Sequence, residues 1–135
     1  MTASVKARIR YVTQSEASVV FLRREFTHMA SESSVSRALS SLCAEGVLWR
    51  IGAGVYARTR ISVVTGALIP AGSLETLAAE ALKKLGIDAG PSRAAQAYNE
   101  GKSTQLPGEL AVSVGRRRIT RQLEVGGRRL KYERT

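Results

Sequence analysis

Residues 31–60 read SESSVSRALSSLCAEGVLWRIGAGVYARTR, and their order decides the fold. Val35, Leu39 and Leu42 recur at i, i+4 and i+7, with Ala38 and Cys43 beside them. That spacing lays a buried stripe along a helix from about Ser33 to Glu45. Gly46 follows at the position where glycine stops a helix. Val47–Ile51 and Val55–Arg58 then flank Gly52–Ala53–Gly54, the signal of a hairpin with a three-residue turn. Ser33, Arg37, Ser40 and Ala44 fall opposite the buried stripe, with Ser34 and Ser41 flanking them. This outward face is small, polar and free of acids. A helix entering the major groove needs those properties, because slim side chains allow close approach and Arg can pair with a guanine edge.

Upstream, Val5, Ile9 and Val12 mark one face of a first helix, with Ser4 or Thr2 as its cap. Val19–Val20–Phe21 is a short β-branched run. Leu22, Phe26 and Met29 again recur at i, i+4 and i+7, which predicts a second helix of about two turns that begins with Arg23 and Arg24. His28 fits its end. Trp49 and Tyr56 fit core or hairpin packing. The order is helix, short strand, helix, tight turn, helix, hairpin, which is a winged helix-turn-helix pattern. The third helix is then the reading helix and the hairpin the wing. The expected DNA-facing set is Arg23, Arg24, Ser33, Ser34, Ser36, Arg37, Ser40, Ser41, Arg50, Arg58 and Arg60, with Ser33, Ser34, Arg37 and Ser40 at base edges and Arg23, Arg24, Arg50, Arg58 and Arg60 at phosphates.

Charge agrees with such a partner. The 135 residues carry 21 Lys and Arg against 11 Asp and Glu, a net charge of +10. Residues 1–60 hold +5, residues 61–112 hold −1 and residues 113–135 hold +6. Two basic ends around a near-neutral centre suggest two phosphate-facing surfaces, although a charged face is often only a solvated one. One cysteine, Cys43, excludes an internal disulfide, and one histidine beside it argues against a zinc site. No apolar run reaches the ~18–20 residues of a membrane span. Residues 1–10 lack the apolar core of a signal peptide. The expectation is a soluble cytoplasmic protein with no metal or cofactor.

The second half, residues 61–135, reads as a small α/β unit. Leu74, Leu77, Ala78, Ala81, Leu82 and Leu85 give one helix a broad buried face, with Gly86 as its stop. Arg93–Tyr98 reads as a second, shorter helix. Leu110–Val114, then Ile119, Leu123 and Val125, then Leu130 and Tyr132 read as about three antiparallel strands, the last two joined through Gly126–Gly127. Arg116, Arg117, Arg118, Arg121, Arg128, Arg129 and Lys131 form a second basic surface, with Arg134 adding to its density. Gly101–Lys102–Ser103–Thr104 is similar to the end of a phosphate-binding loop, but Gln96 stands where that motif needs its first glycine. There is no second histidine, no Ser–His–Asp set and no pair of carboxylates in a pocket-like pattern, so an enzyme is not expected. The whole reads as an α+β chain: a winged helix-turn-helix over 1–60, then a small α+β domain over 61–135.

Phe21–Leu22–Arg23–Arg24–Glu25–Phe26, Val35–Leu42 and Glu45–Tyr56 together resemble the N-terminal domain of AbiE-type antitoxins of bacterial type IV toxin–antitoxin systems. Tyr98–Pro107 resembles an Asn-x-x-Gly-x-[Ser/Thr]-Thr-Gln-x-Pro element of a short AbiE-antitoxin-like group. The resemblance spans roughly residues 20–125. It implies a winged-helix domain that binds double-stranded DNA at its own promoter and represses it; because one wing-and-helix unit reads only a short half-site, a homodimer or paired monomers on an inverted repeat are expected. It further implies an antitoxin that opposes a nucleotidyltransferase toxin without a stable complex. The reading-helix role then falls on Ser33–Ser41 and the wing role on Arg50–Arg58. Two other readings stay open: a plain repressor without a toxin, and a winged-helix interaction module whose basic C-terminal sheet binds RNA or protein.

Overall fold

The computed structural model describes residues 4–102 and 110–134. The element of Ser103–Pro107 singled out in the sequence lies outside the described residues. The chain is a mixed α+β fold, and its contacts divide it into two compact units, one ending at Ser73 and one starting at Leu74.

In the first unit, helix α1 (Val5–Ser15) is capped by Ser4, whose hydroxyl accepts from the Ala7 amide. Strand β1 (Val20–Leu22) follows, then a single 3-10 turn, Arg23–Phe26. Helix α2 (Glu32–Ala44) starts one residue before the sequence expectation, with Ser31 as N-cap accepting from the Ser34 amide. Strands β2 (Leu48–Gly52) and β3 (Val55–Ile61) form the hairpin. β3 is central: it pairs antiparallel with β1 through Phe21↔Tyr56 and with β2 through Trp49↔Ala57. The sheet order is β1–β3–β2.

Two expectations need correction here. The two-turn second helix is only the 3-10 turn, because Leu22 is spent in β1 opposite Val55 and the turn ends four residues later. The first unit also runs past residue 60. Strand β4 (Leu68–Pro70) folds back on β3, pairing Ile61↔Leu68 and Thr59↔Pro70.

The core of this unit is the stripe read from the sequence. Val35, Leu39 and Leu42 of α2 are fully buried against Ile9, Phe21, Phe26, Leu48 and Tyr56. Each such side chain contributes about 1.5–3 kcal/mol by leaving water. Trp49 is not part of it and stands exposed on the hairpin. The end of α2 is fixed by Gly46 at φ +80°. The Val47 amide reaches back to the Leu42 carbonyl and the Gly46 amide to that of Cys43, which satisfies two helix-end acceptors. Leu68 of β4 packs over the same spot.

In the second unit, helix α3 (Leu74–Lys84) buries Leu74, Leu77, Ala78, Ala81 and Leu82 of the expected face, while Leu85 falls past the helix end and is half-buried. Glu75 in its first turn and Lys83 and Lys84 in its last complement the helix dipole. Helix α4 (Arg93–Asn99) is capped by Ser92 and ends at Gly101, where φ is +75°. The glycine of the phosphate-loop-like motif therefore terminates a helix. The strands depart from the expected all-antiparallel set. β5 (Gly90–Pro91) pairs antiparallel with β6 (Ala111–Ser113), but β6 pairs parallel with β9 (Lys131–Glu133). Between them, β7 (Glu124–Val125) and β8 (Arg128–Arg129) form a separate two-residue hairpin. That hairpin uses up the reversal at Gly126–Gly127, so β9 emerges in the direction of β6. Val114, Leu123 and Leu130 are also buried.

Gly46→Ala tests the α2 terminus. An added Cβ would meet Leu68 Cδ2 at 2.7 Å and hold an unfavourable φ. The expected loss is about 1–2 kcal/mol, read as a lower thermal midpoint by circular dichroism. An unchanged midpoint would refute this account of the helix end.

Candidate nucleic-acid interface

The α2 face opposite the core is open. Ser33, Arg37, Ser40 and Ala44 are all exposed. Arg37 makes only a long contact, Nε to the Ser33 carbonyl at 3.4 Å. Of the flanking serines, three are already engaged. Ser34 Oγ shares a hydrogen bond with Ser31 Oγ at 2.9 Å. Ser36 Oγ accepts from Arg23 Nε, and Ser41 Oγ donates to Glu45 Oε2. Acids stand at both ends of α2: Glu32 in the first turn and Glu45 at the C-cap. Lys6 and Arg10 of α1 both pair with Glu45. The Lys6 contact, chiefly, holds the Glu45 carboxyl below its usual range.

Arg23 is a structural brace. Its Nε donates to Ser36 Oγ at 2.9 Å and its NH2 to the Glu32 carbonyl at 3.2 Å. Its own amide donates to the Gly54 carbonyl in the hairpin turn at 2.9 Å. The beginning of α2 and the hairpin turn are thus brought to the same residue. Arg58 is also committed. Its Nε donates to the Thr13 carbonyl at 2.8 Å and its NH2 to the Glu16 carbonyl, at the C-terminal end of α1. Those carbonyls are the ones a helix end leaves unsatisfied, so a guanidinium fits there. The sequence placed both arginines at phosphates; the structure uses both to hold elements together.

Arg50 and Arg60 are exposed on the hairpin strands, and Arg24 is exposed on the 3-10 turn. The Arg50 Nε donates to the nearby Gly52 carbonyl at 3.3 Å. Below the hairpin, burial pushes the Tyr56 phenol up, against the opposing pull of Arg50 and Arg23. Burial likewise raises the Cys43 thiol, which makes it a poor nucleophile.

The second basic surface divides in the same way. Arg128 pairs with Glu75 at 2.8 Å, and Arg129 lies 3.9 Å from Glu124. Arg117 donates to the Gly86 carbonyl at 3.1 Å, just past α3. Arg121 and Lys131 are exposed and also have interactions of their own. Arg116 and Arg118 are exposed, as is Arg134, whose place in this group the sequence signalled only as charge density. Among the described residues, no three His, Cys, Asp or Glu side chains gather as a metal site, and no helix is long and apolar enough to cross a membrane.

The division between committed and open arginines is measurable. Arg23→Ala and Arg58→Ala should each lower stability by about 1–3 kcal/mol through lost charge-assisted hydrogen bonds. Arg37→Ala and Arg60→Ala should leave it within about 0.5 kcal/mol. Urea melts of the four variants decide; equal midpoints throughout would contradict the assignment.

Comparison with curated proteins finds no match. The model of a family of unknown function, DUF6088, matches residues 7–135. The match covers nearly the whole chain, and the protein belongs to that family.

Proposed function

We propose that the protein is a sequence-specific DNA-binding repressor of its own promoter, built on a winged helix-turn-helix, and that it serves as the antitoxin of a type IV-like pair. The observation that carries the DNA-binding reading is the open Ser33–Arg37–Ser40–Ala44 face of α2, held beside the hairpin turn through Arg23. The order α1, β1, 3-10 turn, α2, hairpin and the β1–β3–β2 sheet support a winged helix. In this reading α2 lies in the major groove, with Arg37 and Ser40 at base edges and Ser33 near the helix start. Arg50 and Arg60 meet the backbone from the hairpin strands. The antitoxin half rests on the resemblance to AbiE-type antitoxins, and a neighbouring nucleotidyltransferase gene would be its partner in function.

Arg37→Ala is the direct test. Binding to a duplex from the protein's own upstream region should weaken by about 1–3 kcal/mol, with relaxed preference at one base pair. Unchanged affinity and preference would remove α2 from the groove. A single α2 and wing read only a short half-site, so two copies on an inverted repeat are expected. Native mass measurement on that duplex should show two chains per operator; saturation at one chain would exclude the paired arrangement.

A further inference from the structure

Parallel pairing of β6 with β9 has a geometric result that an antiparallel pairing would not. The C-terminal ends of both strands lie at the same end of the sheet, with Ser113 opposite Glu133. The ladder continues one step further, where the Val114 amide donates to the Glu133 carbonyl at 2.9 Å. The turn carrying Arg116, Arg117 and Arg118 leaves β6 at this end. Arg134 leaves β9 at the same end. Residues 18 apart in the chain are thereby drawn into one cationic cluster.

The cluster is organised and unspent. Arg117 is anchored to the Gly86 carbonyl, which fixes the turn from its middle. Arg116 and Arg118 on either side, and Arg134, are exposed and make no hydrogen bond or ion pair with described residues. Three acids of this unit are already engaged by other cations. Glu133 accepts from the Arg93 amide at 2.9 Å and lies 3.8 Å from Arg93 Nε. Glu75 and Glu124 are paired with Arg128 and Arg129. Asp88, just before β5, is the other acid that the Gly90↔Ser113 pairing brings toward this end. Guanidinium groups suit phosphate, which they can grip through two parallel N–H donors. The aromatic of β6 and β9, Tyr132, is half-buried and its hydroxyl donates to the Arg121 carbonyl at 2.7 Å, so these two strands present no open ring for stacking. Sequence-specific RNA binding uses exposed aromatics to stack unpaired bases. A phosphate backbone read without its bases fits better.

We infer that Arg116, Arg118 and Arg134, gathered at one end of the β5–β6–β9 sheet, form a second phosphate-binding surface for the backbone of duplex DNA. This rests on the DNA-binding reading above and extends it. The first unit selects the sequence, and the second adds affinity that ignores sequence. Two linked contacts raise the effective concentration of each other's ligand, so even a weak second contact strengthens the whole.

The test uses the full chain and two fluorescent duplexes, the upstream region and a scrambled version, titrated between about 50 and 200 mM salt. Replacing Arg116, Arg118 and Arg134 together by Ala should flatten the slope of log K against log salt by about 2–3, on both duplexes alike. Replacing all three by Lys should keep the slope, because the charge is retained. An unchanged slope in the Ala variant overturns the inference, and so does an equal loss in the Lys variant. Loss of binding to a structured RNA, or to an acidic polypeptide, with duplex binding intact would assign the cluster to that partner instead. Duplex binding indifferent to sequence and to Arg37→Ala, yet still losing slope in the triple Ala variant, would sink the operator reading and leave this surface standing. No binding to any duplex would sink both.

Discussion

Arg23 is the interaction on which the first unit's exposed face depends. A 3-10 turn of four residues has too few backbone hydrogen bonds to orient a helix by itself. Side chains do that work here. The Leu22 amide donates to Glu25 Oε2 at 2.6 Å, and Phe26 packs 6.3 Å from Phe21, ring centre to ring centre. Arg23 then links this short segment outward, to Ser36 and Glu32 on one side and to Gly54 on the other. Whatever α2 presents to a partner, it presents at an angle to the hairpin that this one side chain and its amide help to set.

The opposite end of α2 has its own constraint. A carboxylate at a helix C-terminus is disfavoured by the helix dipole. Glu45 sits there and is held by Lys6, Arg10 and Ser41. The unfavourable placement is offset by α1, and in return α1 is fixed to the end of α2. Arg58 fastens α1 a second time, through the carbonyls of Thr13 and Glu16. Cations that look alike in composition therefore have different duties: Lys6, Arg10, Arg23 and Arg58 assemble the unit, while Arg37 and Arg60 are left facing water.

That distinction explains what could be read from the sequence. The α2 stripe, its glycine stop, the hairpin and the α3 face were legible, because each depends on residues a few positions apart. The second helix was misread because Leu22, Phe26 and Met29 satisfy helical spacing while Leu22 belongs to a strand whose partner, Val55, is distant in sequence. β4 is hidden for a different reason: Leu68 pairs with Ile61 only seven residues back, but the loop between them is uncharged and carries exposed Val63 and Val64, so no change of polarity sets the strand apart. The direction of β9 was hidden by the Gly126–Gly127 reversal, which is real but joins β7 to β8. For the arginines expected at phosphates, the sequence shows the residues and not their commitments. A sequence counts arginines; only the fold shows that Arg58 faces helix carbonyls and that Arg134 lies beside the Arg116–Arg118 turn.

The composition of the α2 face limits how a partner can be engaged. Arg37 is the single cation of that helix, and Ser33, Ser40 and Ala44 complete the open surface. A serine hydroxyl extends only one atom past Cβ, so it meets a partner only if the helix backbone comes very close. Small side chains permit that approach but cannot compensate for a tilted or displaced helix, as longer ones could. A face of this kind demands a rigid support. The brace at Arg23, the ion pairs at Glu45 and the glycine turn under Leu68 supply it at both ends of the helix. The sparse exposed polar atoms and the many fixing contacts are two sides of one arrangement.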